Sequence, residues 1–304
     1  MDMANQIWAH LAPMALIVLR LACWYFLLLA GFGLLERLFP LHRQKTFRRA
    51  YLVDIGYYFL NGILPNALLA LGGAALAWGL RRIMPAMVLG FAAHLPFWGR
   101  LAGAMIVGEA GYYRGHRWMH EIPLLWRFHA VHHSAEEMDW LVNTRAHPVD
   151  IVFTRLMGFV PMYALGFSQP LAGQQLDAAP ILFLTLGFMW GYFIHANLRW
   201  RFEWLSWLVS TPAFHHWHHT NDEHIDKNFA SMLPVMDLIF GTWYLPRRVW
   251  PPCYGIKGSM APGLAGQLVQ PFLPQAEPSP PGANQGLLVR GERAGTVEAP
   301  ETVP

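Results

Sequence analysis

The chain is short of charge and of cysteine. Of its 304 residues, 13% are charged and 54% hydrophobic. A soluble domain carries about a quarter charged residues, so the deficit points to a membrane solvent. Only two cysteines are present, Cys23 and Cys253. They exclude a disulfide framework, a CxxC zinc site and an iron–sulfur cluster, so any metal chemistry rests on nitrogen and oxygen donors. No HExxH is present, because Leu124 stands where its second histidine would fall. The ExxH signature of soluble di-iron bundles is missing too. GFGLLE at Gly31–Glu36 fails the dinucleotide fingerprint, and GFSQP at Gly166–Pro170 fails the nucleophile elbow. Reducing equivalents are therefore expected from a partner. A net charge of +3 with no basic stripe excludes nucleic acid.

What is present is apolar length. Stretches run over about Leu11–Leu35, Tyr51–Leu80 and Ile83–Tyr113, the last interrupted at Arg100. Two more, Ile151–Phe167 and Ile181–Ile194, flank the linker Ser168–Pro180 and read as a hairpin. About 20 apolar residues cross the hydrocarbon core. The expected fold is all-α: an integral membrane bundle of about four to five membrane helices under a histidine-rich helical cap. The first stretch has no basic leader and reads as an uncleaved helix. Within it, Arg20 either snorkels or faces protein, and snorkelling is the simpler reading. Arg43, Lys45, Arg48 and Arg49 put the loop Leu41–Ala50 in the cytoplasm, with Arg81 and Arg82 counting mildly against. The histidine cap then faces the cytoplasm, in a bacterial inner membrane or the endoplasmic reticulum. The chain divides into membrane helices at 1–108, a catalytic region at 109–250 with a membrane hairpin at about 151–195, and a Pro/Gly-rich tail at 251–304 expected to be largely disordered.

Twelve of the 15 histidines lie between His116 and His224, so their placement is not random. His116 and His120 form HxxxH. His129, His132 and His133 form HxxHH, and His215, His218 and His219 form a second HxxHH. On a helix, residues three or four apart share a face, so each box can address a metal. Adjacent histidines diverge by roughly 100°, so an HxxHH box can serve two ions at once. Eight histidines exceed the coordination of one ion, and two ions is the natural count. An all-histidine pair beside membrane helices favours a di-iron, oxygen-activating site over a closed zinc site. His216 is expected to point away from the metals. His10, His42, His94 and His224 read as structural or surface residues.

The segments EAGYYRGHRWMHEIPLLWRFHAVHHSAEEMDWLVNTRA from Glu109 and TPAFHHWHHTNDEHIDKNFASMLPVMDLIFGTWY from Thr211 resemble the fatty acid hydroxylase / sterol desaturase superfamily. The resemblance covers about Glu109–Tyr244. It implies two iron ions at a cytosolic face, O2 as co-substrate, and electrons from a cytochrome b5-like protein or ferredoxin with its reductase; zinc can replace iron in purified protein. It implies as ligands His116, His120, His129, His132, His133, His215, His218 and His219, and His195 as a ninth. His147 matches a further recurrent position, either as a ligand or behind the ligands; Pro148 also makes it a helix-start residue. Glu109 stands where many members carry Asp and could orient an imidazole. Asn197, Asn228 and Asp237 match polar positions behind the ligands, or serve as caps and turns.

The implied reaction is hydroxylation or desaturation of a membrane lipid such as a sterol, acyl chain, ether lipid or carotenoid. A zinc-dependent membrane hydrolase would need a carboxylate base, for which Glu136, Glu137, Asp222 and Glu223 are available. A metal-binding or transport protein would carry its ionisable residues inside the spans rather than beside them.

Overall fold

Proline and glycine divide the apolar sequence into helices. The computed structural model describes residues 3–167 and 178–274. Helix α1 (Met3–Leu28) passes through a π turn at Leu29–Gly33 into α2 (Leu34–Leu38). Helix α3 (Tyr51–Ile83) ends just before Pro85, and α4 (Ala86–Leu89) is a single turn. Helix α5 (Phe97–Glu121) starts behind Pro96. The break expected at Arg100 thus falls earlier, at two prolines that cannot continue a helix. Arg100 sits in the first turn of α5 and donates to the Leu95 carbonyl at 3.0 Å. Next come α6 (Pro123–His133), α7 (Pro148–Ala164), α8 (Ala178–His195), α9 (Pro212–His218), α10 (Val235–Phe240) and α11 (Leu264–Val269). Pro opens α6, α7 and α9 at the position where its missing N–H costs nothing. Gly241, at φ 72°, closes α10. Among the described residues the fold is all-helical, with two isolated β-bridges and no strand.

Helix α5 is the centre of the bundle and packs against α6, α7 and α8. Its contact with α7 depends on glycine. A Cβ on Gly111 would lie 2.1 Å from the Met157 carbonyl oxygen, and one on Gly115 would lie 2.7 Å from the Met157 side chain. Small residues spaced by four let two backbones approach, the device that joins helices in lipid. A second core lies between α1, α3 and α8. There the Tyr25 and Tyr51 hydroxyls meet at 2.8 Å and Trp140 and Tyr192 are buried.

The run Ala12–Leu38 is the one helix among the described residues that is long and apolar enough to cross a bilayer, with mean hydropathy 2.1. Large apolar side chains on several other helices also face outward, among them Leu52, Trp78, Met87 and Trp98.

Arg48, one of the four cations of the Leu41–Ala50 loop, is buried between Asp54 and Asp139, and Arg145 pairs with Asp54. Residues 251–274, expected as the start of a disordered tail, instead pack on α3 and α6. A Cβ on Gly56 would meet the Leu264 side chain, and Phe272 stacks edge-on against Phe128. The remainder of that tail, most of the expected 168–180 linker and residues 1–2 lie outside the described residues.

Candidate metal centre

Four helices end at the same place. His116 and His120 occupy the last turns of α5, and His129, His132 and His133 the end of α6. His195 is the last residue of α8, and the third box lies on α9 and just past it. A helix C-terminus carries partial negative charge, so four of them together favour cations. The Thr211 hydroxyl accepts from Phe214 N, which sets the start of α9.

The nine rings fall into two groups. His116, His120, His129, His133 and His218 form one, and His132, His195, His215 and His219 the other; within each, one ligand nitrogen per ring lies within 4.8 Å of the rest. Each HxxHH box is split between them. The groups adjoin where His133 and His219 stack with ring centroids 4.5 Å apart.

The ring nitrogens point to an ion rather than to hydrogen bonds among the rings. His116 Nδ1 donates to the Phe229 carbonyl at 2.7 Å and His129 Nδ1 to Asp150 at 2.8 Å. Both Nε2 atoms are then bare lone pairs, yet they face each other at 3.0 Å. His132 and His195 repeat this: their Nδ1 atoms donate to the Arg145 and Gly191 carbonyls, and their Nε2 atoms stand 3.2 Å apart. Opposed lone pairs repel unless a cation lies between them. Nitrogens bound at about 2.1 Å to one ion are about 3.0–3.4 Å apart, from octahedral to tetrahedral geometry. The His195, His215 and His219 Nε2 atoms, at 3.0–3.2 Å, have that spacing. His120 Nε2 and His218 Nε2 are buried without a hydrogen-bond partner, and their Nδ1 atoms are held by Asp226 and the Lys227 carbonyl. The donor set fits metal ions.

Burial, and then repulsion from His129, holds His116 down at about 3 and His132 at about 4. Burial likewise keeps His120, His133, His215, His218 and His219 well below the ordinary value. Neutral rings are the ligand form. Since these folded-state values lie below the unfolded value near 6.5, the unfolded chain binds more protons at acid pH. Stability of the chelator-stripped protein is therefore full above about pH 6.5 and is lost as pH falls toward 4. Thermal unfolding in detergent should record that fall with a slope of more than one proton, and a flat profile would contradict the burial of these rings.

Beside both groups runs a cavity of about 750 Å3 between α1, α3, α5, α7 and α8. Its wall is mainly apolar, with Leu21, Trp24, Phe159, Met162 and Phe188, and it reaches His116, His129, His132, His195 and His215.

Residues 101–242 match the fatty acid hydroxylase family model. An ornithine lipid hydroxylase of Rhizobium tropici is 31% identical over 265 residues, covering 82% of this chain and 74% of that protein. The chain belongs to the fatty acid hydroxylase / sterol desaturase superfamily. Over shorter stretches this superfamily member is similar to human alkylglycerol monooxygenase, at 29% identity over 44% of the chain and 28% of the relative. A very-long-chain aldehyde decarbonylase of Oryza sativa subsp. indica is 29% identical over 49% of the chain and 25% of that protein. No solved structure matches.

The other residues that the superfamily pattern suggested lie apart from the rings. His147 joins neither group: it caps α7, with Nδ1 accepting from Val149 N and Nε2 facing the Leu268 carbonyl. Its helix-start role, set by Pro148, consumes the nitrogens a metal would need. Glu109 is buried and accepts from Met232 N and Leu233 N rather than from an imidazole. Asn197 bridges the His42 main chain. Asn228, at φ 59°, ties the Phe214 carbonyl of α9 to Tyr244. Asp237 accepts from Phe229 N and Ala230 N, and so holds the peptide whose carbonyl receives His116. His216 turns to the Tyr254 hydroxyl at 2.9 Å.

Two carboxylates that hold rings were not singled out from sequence. Asp226 reads as a loop acid. Asp150, in HPVD, reads as a helix-start acid, which is its ordinary explanation. Its partner His129 is visible only in three dimensions. Asp150→Asn should lower metal retention or activity about 10- to 100-fold, the usual effect of losing such a hydrogen-bonded support. Dialysis against graded chelator measures it, and unchanged retention would remove Asp150 from the centre.

Proposed function

We propose that this chain hydroxylates a membrane lipid at a di-iron centre, using O2 and electrons from a cytochrome b5-like protein or a ferredoxin with its reductase. The balanced reaction is R–H + O2 + 2e− + 2H+ → R–OH + H2O. The observation that carries it is the pair of histidine groups, with opposed bare Nε2 atoms, at the wall of an apolar cavity. When bound, the irons supply the O2-derived oxidant for an unactivated C–H bond, which side chains alone do not provide. His116, His120, His129, His133 and His218 would hold one ion, and His132, His195, His215 and His219 the other. The Phe229, Arg145, Gly191 and Lys227 carbonyls, with Asp150 and Asp226, hold Nδ1 protonated and turn Nε2 inward. The apolar walls keep water away and hold the chain of the substrate.

Hydroxylation is favoured over desaturation because two of the three relatives are named a hydroxylase and a monooxygenase, and none a desaturase. The acids that a zinc hydrolase reading offered as its base, Glu136, Glu137, Asp222 and Glu223, are absent from the cavity wall, and the two acids on that wall, Glu109 and Asp150, are engaged by the main chain at 232–233 and by His129. A transport protein would string its histidines along a path rather than close them into two groups. The chain is proposed to cross the membrane four to five times, with the histidines on the cytoplasmic side. Lipid extracts of cells with and without the chain, grown under 18O2, test the reaction. A lipid heavier by one 18O atom is expected. A product lighter by two hydrogens would replace hydroxylase by desaturase, and no change in any lipid would overturn the reading.

A further inference from the structure

The cavity holds a cation that no acid neutralises. Arg155, on α7, lines it, and its Nη1 donates to Asn66 Oδ1 at 3.1 Å. Among the described residues no carboxylate pairs with it. The two acids of the cavity wall, Glu109 and Asp150, are engaged by the main chain at 232–233 and by His129. Arg20, on α1, faces the same space and also lacks an ion pair among the described residues. Arg20 is exposed and borders this cavity. The amides of Asn61 and Asn143 share that wall. A guanidinium taken out of water without a counter-charge is costly, and in a membrane enzyme such a residue is a candidate functional site.

Arg155 is also close to the metal centre. It stands five residues after Asp150 on one helix, about 7.5 Å along the axis. Tyr112 spans the gap: its ring lies 5.5 Å from that of His116, and it is within Coulombic reach of Arg155.

Resting on the hydroxylase reading, we propose that Arg155, aided by Arg20, binds the oxyanion of a lipid headgroup, a carboxylate or a phosphate. The planar fork of arginine suits both. Binding there brings carbons near the headgroup, rather than the far end of the chain, to the histidines.

The test is direct binding to the detergent-solubilised full-length protein, with no turnover required. The probes are N-palmitoylglycine, palmityl phosphate and the uncharged N-palmitoylglycine methyl ester. Wild type should bind at least one anion about 10- to 100-fold tighter than the ester, the range of a charge-assisted hydrogen bond. The tighter anion identifies the oxyanion as carboxylate or phosphate. R155Q should erase the preference while leaving ester affinity unchanged, R155K should keep part of it, and R20Q should weaken it. Equal binding of ester and anions by wild type overturns the proposal even if R155Q fails to fold, as does an intact preference in R155Q. A hydroxyl mapped to the far end of the chain would overturn the placement. Selective binding without any hydroxylation would leave this site standing and remove the reaction assigned above.

Discussion

Replacing His219 by alanine should abolish turnover, and so should replacing His218, yet the two variants should lose metal differently. His219 belongs to the group of four, and H219A leaves three rings there. His218 belongs to the group of five, and H218A leaves four. A lost ligand in a site built for one ion should lower the rate about 10^3-fold or more, because the metal itself supplies the chemistry. H219A should retain about one iron per chain after purification. H218A should retain close to two but release one to a chelator that spares the wild type. H216A is the control from the same HHWHH run: His216 faces Tyr254, so both irons and most of the activity should remain. Equal metal loss in H216A and H219A would mean that the box, rather than ligand geometry, determines binding.

Asp54→Ala should be the most destabilising single change away from the rings. Asp54 is fully buried and takes an ion pair from both Arg48 and Arg145. Arg48 keeps Asp139, but Arg145 loses its one ion pair among the described residues. Removing one member of a buried ionic cluster costs about 3–5 kcal/mol, since the remaining charge stays desolvated. The loss reaches the metal centre, because the Arg145 carbonyl holds His132 Nδ1. Denaturant or thermal unfolding of the stripped protein should show the loss, and metal binding by the group containing His132 should weaken. Glu121→Ala breaks the half-exposed Arg117–Glu121 pair and should change stability by less than about 1 kcal/mol. Comparable effects of the two variants would contradict the assigned role of burial.

The rings were legible because imidazole spacing maps directly onto helix geometry. His116 and His120 are one turn apart and share a group; His132 and His133 are adjacent and separate. His195 came only from the superfamily resemblance, since a single histidine at a helix end carries no pattern of its own. What supports the rings was mostly invisible. Four of the six Nδ1 acceptors are main-chain carbonyls, of Phe229, Arg145, Gly191 and Lys227, which no side chain announces. Glu109, Asn197, Asn228 and Asp237 were recognisable as polar positions, but their partners are mostly backbone groups, so spacing could not assign them. In the fold, apolar length makes the helices legible, but their breaks follow proline at Pro85 and Pro96 rather than charge at Arg100. Arg48 read as a topological signal because its two acid partners lie 6 and 91 residues away. The segment 251–274 read as tail because proline and glycine dominate it, while Tyr254, Leu264 and Phe272 anchor it.

The most direct test of the central claim is the metal content of protein expressed with ample iron and purified without chelator, read together with O2 uptake on reduction. The account predicts two irons per chain and O2 consumption. One zinc per chain with no O2 uptake would contradict it.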